Sequence, residues 1–105
     1  MKLIHELLAD EIKSKGGVWM TIHGNSMYPA ILDSQKVYIV NKEKIEVDDI
    51  IAYYFLDPKG KLHIMVHRAL FVRKTYVLTK GDNNLHIDPI RIKHDNILGV
   101  VETIK

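Results

Sequence analysis

The sequence predicts a mainly β protein that begins with one short amphipathic helix. Residues 1–16 carry apolar side chains at spacings of three and four, the period of a helix with one buried face. From residue 18 onward, short runs rich in Val, Ile, Tyr and Thr alternate with turn-forming residues, as in a β-sheet. The chain has 105 residues, of which 47% are hydrophobic and 27% charged, the balance of one globular domain. We therefore expect a single domain over residues 1–105, with the helix in 1–16 and the β domain in 18–105.

The helix prediction rests on five apolar residues and a glycine pair. The apolar residues are Leu3, Ile4, Leu7, Leu8 and Ile12. Gly16 and Gly17 follow a segment that contains Lys13 and Lys15, and glycine just past a basic last turn is typical of a helix end. The charged residues of the segment cancel, so no basic face would attract the helix to anionic lipid. Packing on the domain or on a partner is the expected role of its apolar face.

Six strands are predicted from the β-type runs. They cover residues 18–22, 36–40, 50–55, 62–72, 76–79 and 97–104. Between the third and fourth runs lie Asp57, Pro58, Lys59 and Gly60, with proline and glycine at the positions that a β-turn favours. These two strands are therefore expected to form a hairpin, and Arg73 with Lys74 is expected to turn the chain into the next strand.

Composition excludes several classes of function. Fifteen Lys and Arg against thirteen Asp and Glu give a formal charge of +2, and the basic residues are dispersed along the sequence, which argues against a nucleic-acid partner. There is no cysteine, so disulfides, thiolate metal sites and a cysteine nucleophile are excluded. The longest apolar run has seven residues, against the roughly 18 to 20 that a membrane span needs. The N-terminus does not resemble a secretory signal, so the expected location is cytoplasmic.

A serine and a histidine stand in positions where they could act together. Ser26 lies in the segment 24–29 between a strand and a turn containing Pro29, where a hydroxyl can project from an edge. His67 lies in a strong strand pattern, and a neutral imidazole can accept a hydroxyl proton near pH 7. His63 and His67 do not suggest a metal site, because four residues along a strand span roughly 13 Å. No metal and no cofactor are predicted.

The loop after the fifth predicted strand offers the carboxylate that a triad requires. Gly81, Asp82, Asn83 and Asn84 have an ordinary turn composition, and Asp88 follows shortly after. A catalytic histidine needs one carboxylate on its second ring nitrogen to fix its tautomer. From the residues alone, Asp82 and Asp88 are both candidates.

Four segments, in order along the chain, resemble the conserved boxes of type I signal peptidases. They are residues 24–30, residues 47–51, residues 66–68, and residues 78–84 together with Asp88. The match is closest to the Ser-His enzymes of the endoplasmic-reticulum and archaeal type, because His67 and Arg68 stand where bacterial enzymes and the related LexA-type repressors use a lysine base. The resemblance covers residues 22–88, most of the chain, and it implies a signal-peptidase or LexA-like coiled β-sheet.

The resemblance assigns roles to individual residues. Ser26 matches the nucleophile, His67 the general base and Asp88 the triad aspartate, while Asp82 matches a second acidic position with a supporting role. The residues implied beside the serine, as oxyanion donor or substrate wall, are Asn25, Met27 and Pro29. The implied activity is that of a serine endopeptidase working through an acyl-enzyme. Its substrate would be an extended peptide with small side chains before the scissile bond, such as a leader or signal segment.

Two departures from the family pattern leave alternatives open. The family's serine usually follows a Ser-Gly pair whose hydroxyl helps to bind the oxyanion, but that position is Gly24 here, followed by Asn25. Either Asn25 or another N–H replaces this donor, or the enzyme is slow. The sequence also predicts no membrane anchor, so membrane contact would come only through a partner. The alternative function is a non-catalytic LexA-like β domain that serves as a binding or dimerisation module, and a homodimer is compatible with either function.

Overall fold

The computed structural model describes all 105 residues and confirms the mainly β prediction. One α-helix precedes a seven-stranded antiparallel sheet with the strand order β1-β2-β7-β3-β4-β5-β6. The elements are α1 Ile4–Lys15, β1 Gly17–Thr21, β2 Lys36–Val40, β3 Ile50–Leu56, β4 Leu62–Val72, β5 Tyr76–Lys80, β6 Ile92–Lys93, a 3-10 turn His94–Asn96, and β7 Ile97–Ile104. The α-helix, at 12 residues, is neither long nor apolar enough to cross a bilayer.

The six predicted strands are present with ends that shift by at most one residue, and the structure adds two short elements. These are β6, which pairs with the start of β5, and the 3-10 turn that follows it. Elements of two and three residues are too short to show a hydrophobic period, so the sequence pattern did not predict them.

The predicted C-terminal end of α1 and the predicted β3–β4 hairpin are confirmed, whereas the helix begins only at Ile4. Gly16 ends the helix in the left-handed conformation, with φ 84°, and donates its N–H to the carbonyl oxygen of Ile12 over 2.9 Å. In the hairpin turn, Asp57 Oδ1 accepts the backbone N–H groups of Lys59 and Lys61, both at 2.9 Å. This turn fixes the register of β3 on β4, which in turn sets the position of His67 opposite Ile51.

Two hydrophobic clusters pack on the two faces of the sheet. One contains Ile12, Met27, Ile31, Val37, Ile39, Ala52, Val66 and Leu98. The other contains Ile45, Ile51, Tyr53, Ala69, Val77, Ile92 and Val100. His67 follows Val66 along β4 and therefore points to the opposite face, the face of Ile51 and Tyr53. The imidazole is thus built into the second cluster.

Strand β4 has an unpaired edge next to His67. Strand β3 pairs with β4 from Leu62 to Arg68, whereas β5 joins the other side of β4 only from Arg68 onward. The first half of β4 therefore has free backbone groups on one side. Strand β1 is an edge strand, since it pairs with β2 alone.

Candidate active site

Ser26 lies in the loop that follows β1, and this loop is fixed at both ends. Gly24 adopts a φ of 91° and donates its N–H to Asp33 Oδ1 over 2.7 Å. Met27 is only 1% exposed and anchors the loop in the first cluster, and its carbonyl oxygen accepts the N–H of Ile31 over 2.9 Å. The serine is therefore placed between a capped turn and a buried anchor, with its hydroxyl at the surface of a groove.

The structure brings Ser26 and His67 together although they are 41 residues apart in sequence. Nε2 of His67 lies 3.1 Å from Oγ of Ser26, which is a hydrogen-bond distance. The histidine is 2% exposed, and both neighbours in its strand are paired with β3. The imidazole is held in a packed wall of the sheet and presents one nitrogen to the serine.

Asp88 completes the arrangement on the other side of the ring. Its Oδ2 lies 2.6 Å from Nδ1 of His67. A carboxylate can only accept hydrogen bonds, so the proton of the neutral imidazole belongs on Nδ1, and Nε2 carries the lone pair that faces Ser26. The backbone N–H of Asp88 donates to the carbonyl oxygen of Thr79 over 2.8 Å, which ties the aspartate to β5.

Two buried hydroxyls also contact Asp88, and the sequence pattern did not single them out. Thr79 Oγ1 donates to Asp88 Oδ2 over 2.8 Å, and the Tyr53 hydroxyl lies 3.3 Å from the same oxygen and 3.1 Å from Thr79 Oγ1. Burial raises the pKa of the Tyr53 hydroxyl well above its usual value, so the group keeps its proton and acts as a donor. Both residues lie within β-type runs, where a hydroxyl on the buried face was the only available signal.

Asp82 has a different partner from Asp88. It accepts two hydrogen bonds from Arg68, at 2.8 Å from Nε and 2.7 Å from Nη2, in a bidentate ion pair. This hydrogen bonding lowers the pKa of the Asp82 carboxyl and raises the pKa of Arg68. Nη1 of Arg68 also donates to the carbonyl oxygen of Asp48 over 3.0 Å. The pair therefore joins the loop after β5 to β4 and to the turn that precedes β3.

The loop that contains Asp82 also forms hydrogen bonds with the backbone at Ser26. The N–H of Asn83 donates to the carbonyl oxygen of Ser26 over 2.8 Å, and the Asn83 side-chain amide donates to the carbonyl oxygen of Asn25 over 3.1 Å. Gly81 is needed for this approach, because a Cβ there would lie 2.7 Å from the Ser26 carbonyl oxygen and 2.6 Å from Asn84 Nδ2. Two loops that are far apart in sequence thus form one rigid unit around the serine.

The position of Gly24 cannot supply the hydroxyl that the family pattern would place there. Its φ of 91° is a conformation that side-chain-bearing residues rarely adopt. The backbone N–H of Ser26 makes no hydrogen bond within the chain, and neither does the side-chain amide of Asn25. These two groups are therefore free to bond an oxygen next to Ser26.

A groove of about 150 Å³ lies beside Ser26, between the edge of β1 and the unpaired edge of β4. It is lined by Met20, Thr21, Ile22, His23, Ser26, Ile64, Met65, Val66 and His67. Asn25, Met27 and Pro29 are not among these residues: Met27 supports the loop from below, and Asn25 and Pro29 are exposed. The groove is bounded by β1 on one side and by the unpaired half of β4 on the other.

His63 and His67 form hydrogen bonds with different carboxylates. His63 Nε2 lies 2.9 Å from Asp57 Oδ2, and its ring stacks on Phe55 with 4.9 Å between centroids. No group of three His, Asp or Glu side chains in the structure has the arrangement of a metal site.

Comparisons with known proteins do not assign a function to this chain, so an inference of function rests on the geometry of the site. The sequence matches no protein-family model, and no curated protein is significantly similar to it. Chemically, the arrangement consists of a surface hydroxyl, a buried imidazole bonded to it, and a carboxylate that orients the imidazole. It is the arrangement that activates serine for attack on a carbonyl carbon.

Proposed function

We propose that this chain is a serine endopeptidase of the signal-peptidase and LexA-like type, acting through Ser26, His67 and Asp88. The observation that carries the proposal is the continuous hydrogen-bonded line from Ser26 Oγ through both nitrogens of His67 to Asp88 Oδ2, with distances of 3.1 and 2.6 Å. The two nitrogens of the buried His67 bond a carboxylate on one side and a serine hydroxyl at a groove on the other, which are the two partners that a general base of a serine triad has.

The first half of the reaction forms an acyl-enzyme. Nε2 of His67 takes the hydroxyl proton as Ser26 Oγ bonds to the carbonyl carbon, and Asp88 stabilises the imidazolium that results. The imidazolium then gives its proton to the leaving nitrogen as the C–N bond breaks, which releases the C-terminal product as an amine. In the second half, His67 takes a proton from water as the water oxygen bonds to the ester carbon. The bond between that carbon and Ser26 Oγ then breaks, the proton returns to Oγ, and the N-terminal product leaves as a carboxylic acid.

The oxyanion of both tetrahedral intermediates is bound by donors next to the serine. The free backbone N–H of Ser26 is the first, and the side-chain amide of Asn25 is the second, in place of the hydroxyl that Gly24 lacks. Asn83 supports this site, because its side-chain amide donates to the Asn25 carbonyl oxygen, which belongs to the same peptide unit as the Ser26 N–H. Its backbone N–H bonds the Ser26 carbonyl oxygen and so holds the following peptide unit as well.

The substrate is an extended peptide with small side chains before the scissile bond. The free edges of β1 and β4 offer backbone donors and acceptors on both sides of the groove, which suits an added strand. The groove is small, at about 150 Å³, and lacks Lys, Arg, Asp and Glu in its lining, so it favours small, uncharged side chains. A leader or signal segment of a secreted or modified peptide has this character.

Cleavage of a mixed peptide library, mapped by mass spectrometry, tests the proposal. The wild-type chain is expected to cut after small residues, and both Ser26→Ala and His67→Ala are expected to abolish these cuts. Ser14→Ala removes an exposed serine from α1 and serves as the matched control that keeps full activity. Equal traces from the wild type and from both site variants would favour the non-catalytic binding module instead.

A further inference from the structure

A second concave feature lies at the end of the β5–β6 pair, away from the serine. It is a shallow, open depression with a volume of about 510 Å³, and its ionisable lining consists of Lys74, Tyr76, Arg91, Lys93, His94 and Asp95. None of these residues lines the groove beside Ser26. We name this feature the basic pocket.

The fold assembles the basic pocket from residues that are dispersed in the sequence. Lys74 comes from the turn between β4 and β5, while Lys93 pairs with Tyr76 in the β5–β6 ladder. Nε2 of His94 lies 2.7 Å from the carbonyl oxygen of Arg73, which fastens the 3-10 turn to the turn before β5. The position of the cations is therefore set by strand pairing and by a hydrogen bond between two turns.

The charge of the pocket is not compensated within the chain. Lys74, Arg91 and Lys93 take part in none of the chain's ion pairs, which all lie elsewhere. Three cations and the carboxylate of Asp95 give the pocket a net charge of +2, as much as the whole chain carries. Such a local excess of positive charge attracts anionic groups.

One cation of the pocket is already oriented for recognition. The Arg91 guanidinium carbon lies 4.6 Å from the centroid of the Tyr76 ring, in a cation–π contact. A stacked guanidinium loses less rotational freedom on binding and presents its planar fork at the edge, where it fits a carboxylate with two bonds. Arg73 is held in a similar way over Phe71, at 5.4 Å, next to the pocket.

We propose that the basic pocket binds an acidic peptide segment of a partner protein, independently of the serine site. A nucleic-acid backbone requires a stripe of several phosphate contacts, whereas here three cations surround a concavity that also contains a carboxylate. Separate carboxylates on a peptide can bond Arg91 and the two lysines while they avoid Asp95. Lys93 and Arg91 flank Ile92, which is buried, and Lys93 lies in β6, so the backbone between the two charges is anchored next to the pocket.

Fluorescence anisotropy with a labelled peptide of alternating Glu and Gly tests this proposal on the full chain. At low salt the wild type is expected to bind this peptide but not its counterpart of alternating Gln and Gly. The double variant Lys74→Gln with Lys93→Gln is expected to bind roughly fivefold more weakly or worse. Arg91→Lys keeps the charge but removes the stacked fork, so it is also expected to weaken binding.

A matched control removes the same charge from another surface. Lys59→Gln with Lys61→Gln lies in the β3–β4 turn, where neither lysine forms an ion pair, and is expected to bind like the wild type. The proposal is overturned if the wild type does not bind, or if both double variants weaken binding equally. It is also overturned if a labelled oligothymidylate binds more tightly than the acidic peptide and is weakened by the pocket variants, since the pocket would then be a phosphate site.

Discussion

Asp88 Oδ2 approaches Nδ1 of His67 to 2.6 Å, while the carboxylate of Asp82, in the same loop, accepts its hydrogen bonds from Arg68, at 2.8 and 2.7 Å. The two aspartates therefore have separate tasks. Asp88 orients the imidazole toward Ser26, whereas Asp82 fastens the loop to β4.

Asp88→Asn is expected to abolish most turnover without unfolding the chain. An asparagine amide in place of the carboxylate no longer fixes the proton on Nδ1, and it stabilises no imidazolium. The expected loss in kcat/KM is about a thousandfold to ten-thousandfold. Asp82→Asn leaves the hydrogen bond between Asp88 and His67 in place. The kcat/KM values of the two variants should therefore differ by orders of magnitude in steady-state kinetics. Equal losses in both variants would contradict the assignment.

Asp82→Asn is expected to make the chain less sensitive to acid. Arg68 holds the pKa of Asp82 below its ordinary value of 3.8, so the folded chain binds a proton there less readily than the unfolded chain. The stabilisation is complete above the ordinary pKa and is lost as the pH falls through the lowered one. In urea unfolding experiments, lowering the pH from about 5 to about 3 should therefore reduce the free energy of unfolding of the wild type more than that of the variant. The expected difference is on the order of 1 kcal/mol.

Arg68→Gln provides the check on that pH dependence. It removes the other partner, so its stability should vary with pH as that of Asp82→Asn does. If the free energy of unfolding of both variants falls with pH as steeply as that of the wild type, the ion pair contributes nothing to the acid response.

Thr79→Val and Tyr53→Phe are expected to reduce activity by loosening Asp88. Each variant removes one hydroxyl from a carboxylate oxygen and leaves the other in place. A hydrogen bond to a charged group contributes roughly 1.5 to 3 kcal/mol, so the loss in kcat/KM is expected to be about tenfold to a hundredfold. Thr79→Ser keeps the hydroxyl and should restore most of the activity.

A spectroscopic signal separates positioning from mere stability. The proton between His67 Nδ1 and Asp88 should give a downfield proton resonance in NMR, which does not depend on any substrate. This resonance should shift in Thr79→Val and in Tyr53→Phe and return in Thr79→Ser. An unchanged resonance in both variants would mean that the hydroxyls do not act on the imidazole through Asp88.

Gly81→Ala is expected to impair both activity and stability. The added methyl group would collide with the Ser26 carbonyl oxygen, so the loop must move away from the serine. Overpacking of this kind costs about 1 to 3 kcal/mol in the free energy of unfolding. Gly60→Ala, in the β3–β4 turn, meets open space and strains only its φ of 82°, so it should lower the thermal midpoint while peptide cleavage stays at the wild-type rate.

The sequence was sufficient for the helix and for all the longer strands, because their hydrophobic periods extend over many residues. It also placed Ser26 and His67 in segments that meet in the fold. The residues alone could not decide between Asp82 and Asp88, since both follow turn-forming residues. Their separation depends on the pairing of β4 with β5, which directs Arg68 to one and His67 to the other.

The hydrophobic pattern of the sequence could not predict contacts between individual side chains. Tyr53 and Thr79 fit their strands as any core residue would, and nothing in the sequence marks their common contact to Asp88. Likewise, Lys74 and Arg91 form one pocket only because β6, a two-residue strand, returns the chain to β5.

Covalent trapping tests whether Ser26 is a nucleophile activated by His67. The chain would be mixed with an activated ester of a small acylated amino acid, quenched with acid, and measured by intact mass and peptide mapping. We expect one added acyl group, located on Ser26 in the wild type and absent from both Ser26→Ala and His67→Ala. Acylation of the wild type and His67→Ala to the same extent, or an adduct found only on lysines, would contradict it.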